Sequence, residues 1–126
     1  MPHTVSESEF NALVEQAIRL LPPKFAKALA DVRVEVRDRP TPELLRSMEM
    51  EPDELLLGLY DGIPLTERGV EPPTRAPDVI FLYRDDIMNV AKNEDDLVDQ
   101  VTITLLHEIG HYFGLGEDDL TRLGYG

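Results

Sequence analysis

The chain has no cysteine and no tryptophan in 126 residues. Without thiols, a disulfide framework and every thiolate zinc site are excluded, so any metal must be held by His, Asp or Glu. Aromatic residues are only 6 % of the total, which leaves the core to Leu, Val, Ile and Ala. Cations are scarce as well: 12 Lys and Arg stand against 25 Asp and Glu, for a net charge of −13. Such a field repels phosphate backbones, so nucleic acid is not an expected partner; neutral or basic ligands are favoured. No apolar run approaches the roughly 20 residues of a membrane helix, so no membrane association is expected. The opening MPHTVSESEF lacks a basic region followed by an apolar one, so no signal peptide is expected and a cytoplasmic location is. Histidine is rare too, with three in the whole chain.

What remains is ordinary for a globular protein. Hydrophobic residues are 42 % and charged residues 29 %. The length suits one domain spanning 1–126. Ser6 with Glu9 forms a capping-box signature, and Val5 and Phe10 stand at the positions of a hydrophobic staple. Phe10, Leu13, Val14, Ala17, Ile18 and Leu21 then recur at helical spacing. Pro22 and Pro23 end that helix and start a second over Lys24 to Ala30. Val32 to Arg37 alternates apolar and charged residues, the pattern of a half-buried strand. Thr41 and Pro42 open a short helix through Met48.

Leu55 to Tyr60 reads as a second strand. Asp61-Gly62 is a turn signal, with Ile63 to Leu65 as a returning hairpin arm. Thr66 to Pro77 reads as a loop, Val79 to Tyr83 as a buried strand, and Asp85 to Ala91 as one or two helical turns. Asn93 caps a last long helix whose first turn carries Glu94, Asp95 and Asp96. Helices lead, strands sit in the middle and a helix closes, so the fold class is α+β.

Two of the three histidines lie in the last helix, in HEIGHYFGLGEDD from His107 to Asp119. His107 and His111 are four apart, so both rings leave one face, one turn apart, and suit a single Zn²⁺. Glu108 is rotated by about 100° from His107, beside the metal rather than facing it. A carboxylate there is placed to take a proton from metal-bound water. Gly114 tolerates positive φ and can turn the chain back, which brings Glu117 within reach of the same metal. Asp118 and Asp119 are neighbouring carboxylates that can ligate instead or orient a histidine. A lone histidine on an apolar helix face is ordinarily a satisfied core residue. Two of them with Glu108, Gly114 and an acid at 117 match the whole context of the H-E-x-x-H motif.

H-E-I-G-H-Y-F-G-L-G-E resembles the extended zincin motif H-E-x-x-H-x-x-G-x-x-(H/D/E). In length and in its short acidic tail the chain is similar to the minimal zincins, small bacterial relatives of the Asp-zincin metallopeptidases. The resemblance implies a zincin-like minimal domain, a small mixed sheet packed on helices. It implies zinc on His107, His111 and Glu117, with Glu108 as the catalytic glutamate. The Asp-zincin pattern has Asp where this chain has Glu117, so Asp118 is an alternative third ligand. Tyr125 falls where several zincins carry an oxyanion-stabilising tyrosine, although packing with Leu120 and Leu123 is the simpler expectation.

The leading expectation is therefore a zinc metallopeptidase acting on a peptide or protein substrate, laid as an added strand along the Leu55 to Leu65 hairpin. A metal-binding interaction module without peptidase activity is the alternative. A third reading, a facial triad for Fe(II), leaves Glu108 idle. His3 receives no role, and Arg75 and Arg84 are expected at solvated surface positions.

Overall fold

The computed structural model describes residues 4–67 and 78–125. The chain begins with helix α1 (Glu7–Arg19) and helix α2 (Pro23–Ala28), then strand β1 (Val32–Arg37) and helix α3 (Pro42–Ser47). Strand β2 (Gly58–Asp61), a 3₁₀ turn (Leu65–Glu67) and strand β3 (Asp78–Tyr83) follow. Helices α4 (Arg84–Val90), α5 (Glu94–Tyr112) and α6 (Glu117–Arg122) complete the fold.

Three helices start on the caps their sequences announce. Ser6 Oγ accepts the Glu9 N–H at 3.2 Å, Thr41 Oγ1 that of Leu44 at 3.1 Å, and Asn93 Oδ1 that of Asp96 at 2.8 Å. Each satisfies a backbone donor that the first helical turn leaves without a partner. In the Ser6 box the Glu9 carboxylate accepts the serine hydroxyl at 3.1 Å.

The three strands form one sheet in the order β1-β3-β2. β3 runs parallel to β1 and antiparallel to β2. Its central place explains its sequence, since a strand with neighbours on both sides tolerates a continuous apolar run. Ile80 and Leu82, fully buried, face the helices and join Phe10, Ala17, Leu97, Val101, Leu105 and Ile109 in one core. Burying a side chain of this size contributes about 1.5–3 kcal/mol.

Three elements depart from the sequence reading. The second strand covers Gly58–Asp61, so Leu55 to Leu57 lie ahead of it. The hairpin arm at Ile63 to Leu65 does not form; Leu65–Glu67 is a 3₁₀ turn, and β2 takes β3 as its partner. Pro64 lacks the N–H that a ladder needs, and a buried apolar strand was available in its place. The second helix also ends at Ala28 rather than Ala30. Most of the expected Thr66 to Pro77 loop, with Arg75, lies outside the described residues, as does His3.

Arg84 is not a solvated surface side chain. It is only 15 % exposed and pairs with Asp38, with Glu7 at 3.5 Å and with Asp85 at 3.7 Å. In so acidic a chain a cation set among three carboxylates relieves their mutual repulsion. Asp86, buried, takes Arg39 Nε at 2.9 Å and the Leu56 N–H at 2.9 Å. It thereby anchors the approach to β2 onto α4. Among the described residues no helix is long and apolar enough to cross a membrane.

Candidate metal centre

Helix α5 supplies three of the groups at this centre. Leu97, Val101, Leu105 and Ile109 drive its apolar face into the core with no exposure. That fixes the rotation of the helix, so His107, Glu108 and His111 emerge towards β2 and α6. A ligand atom from each of the three lies within 4.8 Å of the others.

Turning the chain back requires a particular helix end. The Gly114 N–H bonds to the His111 carbonyl at 2.9 Å and the Leu115 N–H to the Gly110 carbonyl at 2.9 Å. These are the two bonds of a Schellman motif, and Gly114 has the φ of +86° that it demands. A Cβ at Gly114 would sit 2.2 Å from Thr66 Oγ1, so space as well as φ requires glycine. The reversal delivers α6. Fully buried Leu120 seats that helix against α5 at Gly110, where an added Cβ would lie 2.3 Å from Leu120 Cδ2.

The first residue of α6, Glu117, then meets both imidazoles. Its Oε1 is 3.3 Å from His107 Nε2 and 3.1 Å from His111 Nε2. Tetrahedral zinc with bonds of 2.0–2.1 Å places its donor atoms about 3.3–3.4 Å apart. The Glu117 oxygen stands from each nitrogen at about that separation, so the two imidazoles and this carboxylate fit such an ion and leave a fourth position open. The histidines converge on Glu117 rather than on Asp118, which is exposed. Asp119 is engaged elsewhere: it accepts the Gly116 N–H at 3.1 Å and pairs with Arg122.

Each imidazole has a backbone carbonyl behind it. His107 Nδ1 lies 2.9 Å from the Tyr125 oxygen and His111 Nδ1 lies 3.3 Å from that of Leu115. A carbonyl only accepts, so Nδ1 carries a hydrogen in both rings, and Nε2 is the atom that each ring turns towards Glu117. The rings stand edge to face, 4.8 Å between centroids.

Glu108 is held differently. It is 8 % exposed, and its Oε1 accepts the Tyr60 N–H at 2.9 Å while Oε2 lies 4.0 Å from His107 Nε2. Burial pushes its carboxyl above the usual value; the two imidazoles and the Tyr60 N–H pull it down, and Glu117 adds to the rise. Tyr60 belongs to β2, an edge strand. The Leu57 carbonyl accepts the Tyr83 N–H at 2.9 Å, so Leu57, Leu59 and Asp61 direct their backbone to β3. Gly58 and Tyr60 direct theirs the other way, towards α5. Two open clefts flank this edge. One of about 240 Å³ is lined by Leu56, Leu57, Ile103, Thr104 and Tyr125. The other, about 210 Å³, holds Met48, His111 and Glu117. His107 and Glu108 border both.

Sequence reasoning singles out His107, Glu108, His111 and Glu117, and the fold brings all four together. It misses Gly58, Gly110 and the carbonyls of Leu115 and Tyr125. A glycine inside a strand and another inside a helix are visible signals of close approach; a carbonyl leaves no trace in a sequence. The Tyr125 ring packs edge-on against Phe25, 5.6 Å between centroids, and does so as a packing group.

No curated protein matches the chain. Among solved structures it is similar to a conserved hypothetical protein from Thermus thermophilus, with a TM-score of 0.56 and 23 % identity over 96 % of this chain and 100 % of that one. That likeness supports the fold alone. A family model described as zincin-like metallopeptidase matches residues 29–126, which takes in the three described strands and the whole histidine helix. With the motif residues converging as that fold requires, the chain belongs to the zincin-like metallopeptidase family.

Proposed function

We propose that the protein is a zinc-dependent peptidase whose metal ligands are His107, His111 and Glu117 and whose general base is Glu108. The observation that carries this reading is the convergence of both Nε2 atoms on one Glu117 oxygen, with the Glu108 carboxylate alongside. Zinc, when bound, supplies a Lewis acid that polarises the scissile carbonyl and makes water easier to deprotonate. Glu108 accepts the proton of the attacking water and passes it to the leaving amine. Its buried carboxylate, fixed by the Tyr60 N–H, stays beside the ligands where both transfers take place. The two clefts beside the outward edge of β2 would seat an extended peptide across His107 and Glu108. The net charge of −13 disfavours strongly acidic peptides. An intracellular site of action is part of the same proposal.

A metal-binding module without turnover is the second reading. The modest volume of the two clefts, about 240 and 210 Å³, favours it. One experiment separates the two: zinc titration by calorimetry, followed by a peptide-library assay. Under the peptidase reading, His107→Ala abolishes tight zinc binding, while Glu108→Gln keeps it and lowers turnover by about 10²–10⁴-fold. Zinc binding with no cleavage of any peptide by the wild type favours the module. Cleavage that survives Glu108→Gln removes the proposed base.

A further inference from the structure

We propose that Tyr125 is a positioning residue for the metal site, and that it acts through its backbone carbonyl rather than its phenol. The inference rests on His107 being a ligand. Its Nδ1 lies 2.9 Å from the Tyr125 oxygen, which fixes the ring's tautomer and turns Nε2 towards His111 and Glu117.

The two histidines are supported by unlike means. His111 leans on Leu115, four residues on, inside the Schellman turn that ends its own helix. That support comes with the helix end. His107 leans on a group 18 residues away, beyond α6, which local geometry does not deliver. Something must hold that carbonyl, and two contacts do. The Tyr125 N–H donates to the Leu120 carbonyl at 2.8 Å, the bond that closes the end of α6. The Tyr125 ring meets Phe25 of α2 at 78°, and Phe25 in turn meets Phe113 edge-on at 5.5 Å.

A path of direct contacts therefore runs from α2 through Phe25 and Tyr125 to the back of His107. Neither link uses the tyrosine hydroxyl. The ring is needed because it clamps the backbone that bears the carbonyl. Tyr125 also lines the cleft of about 240 Å³ beside His107, so the clamp borders the groove on one side.

The test compares wild type with Tyr125→Phe, Tyr125→Ala, Phe25→Leu and His107→Ala. Two readouts are taken: ¹⁵N NMR of the imidazole nitrogens in the metal-free protein, and zinc affinity by chelator competition. Tyr125→Phe keeps the Nδ1–H tautomer of His107 and zinc affinity within about twofold. Tyr125→Ala gives mixed tautomers at His107, leaves His111 unchanged, and weakens zinc by about 10–100-fold, the usual cost of losing a partner behind a ligand. Phe25→Leu keeps most of the apolar volume, so it reports on the clamp even where Tyr125→Ala unfolds; a several-fold loss of zinc affinity is expected. If Tyr125→Ala and Phe25→Leu both retain the tautomer and the affinity while His107→Ala loses zinc, Tyr125 has no positioning role and the ligand assignment stands. If His107→Ala itself binds zinc like wild type, the metal reading fails and this inference with it.

Discussion

The two faces of helix α5 obey opposite rules. One face, carried by Leu97, Val101, Leu105 and Ile109, is sealed against α1, α4 and β3 by apolar side chains. The other, carried by Thr104, Glu108, His107 and His111, meets the edge of β2 and the start of α6 through polar contacts. The sealed face gains free energy from burial alone. The polar face spends part of that gain, because Glu108 is held in a buried place against a backbone N–H. A carboxylate ready to take a proton requires such a place. Stability is concentrated on one side of a single helix, and the other side can therefore hold an unfavourable arrangement still.

The largest effect is expected on the sealed side. Leu105→Ala should destabilise the fold by about 2–5 kcal/mol, read by urea denaturation, because a fully buried leucine leaves a cavity. The surviving folded fraction should bind zinc with unchanged affinity. A loss below about 1 kcal/mol would mean the sealed face does not carry the fold.

A smaller effect is expected where the faces meet the strand. A Cβ on Gly58 would stand 2.6 Å from Thr104 Cγ2 and 3.0 Å from the Phe81 carbonyl oxygen. Gly58→Ala should therefore cost about 1–3 kcal/mol. Adding Thr104→Ser, which deletes the offending methyl, should recover part of that loss in a double-mutant cycle. Simple additivity of the two changes would show that the helix and strand are not in the contact described.

The smallest effect has the opposite sign. Burial raises the folded-state pKa of Glu108, so the metal-free protein loses stability as pH rises from the unfolded carboxyl value through the folded one. Below that window the group is protonated in both states and contributes nothing. Glu108→Gln should therefore raise the melting temperature of the metal-free protein by a few degrees near pH 7, with the gain fading as pH falls through the window. Equal melting temperatures at pH 7 would show that the carboxylate is not strained.

Much of this was legible in the sequence because it is local. Val32 to Arg37 announces a strand by alternation. Ser6, Thr41 and Asn93 announce helix starts by the acceptors they carry. His107, Glu108, His111 and Gly114 announce a site through fixed angular spacing on one helix. The residues at Ile63 to Leu65 mislead because β2 and its partner β3 are joined by a long connection, and nothing local distinguishes that pairing from a tight turn at Asp61-Gly62. Arg84 misleads for a similar reason: its partners Glu7 and Asp38 lie far off in sequence.

The chemistry on offer, two imidazoles and a glutamate on adjacent turns with no thiol to compete, is written in neighbouring residues. Helical periodicity is a property of neighbouring residues, and it settled their common face. Tertiary structure alone decided that Glu117 rather than Asp118 meets the imidazoles, that the Tyr60 N–H holds Glu108, and that a carbonyl 18 residues away stands behind His107. Those choices depend on Leu120 seating against Gly110 and on β2 crossing α5 at Gly58. Close packing between distant segments sets them, and no pattern of neighbours encodes that geometry.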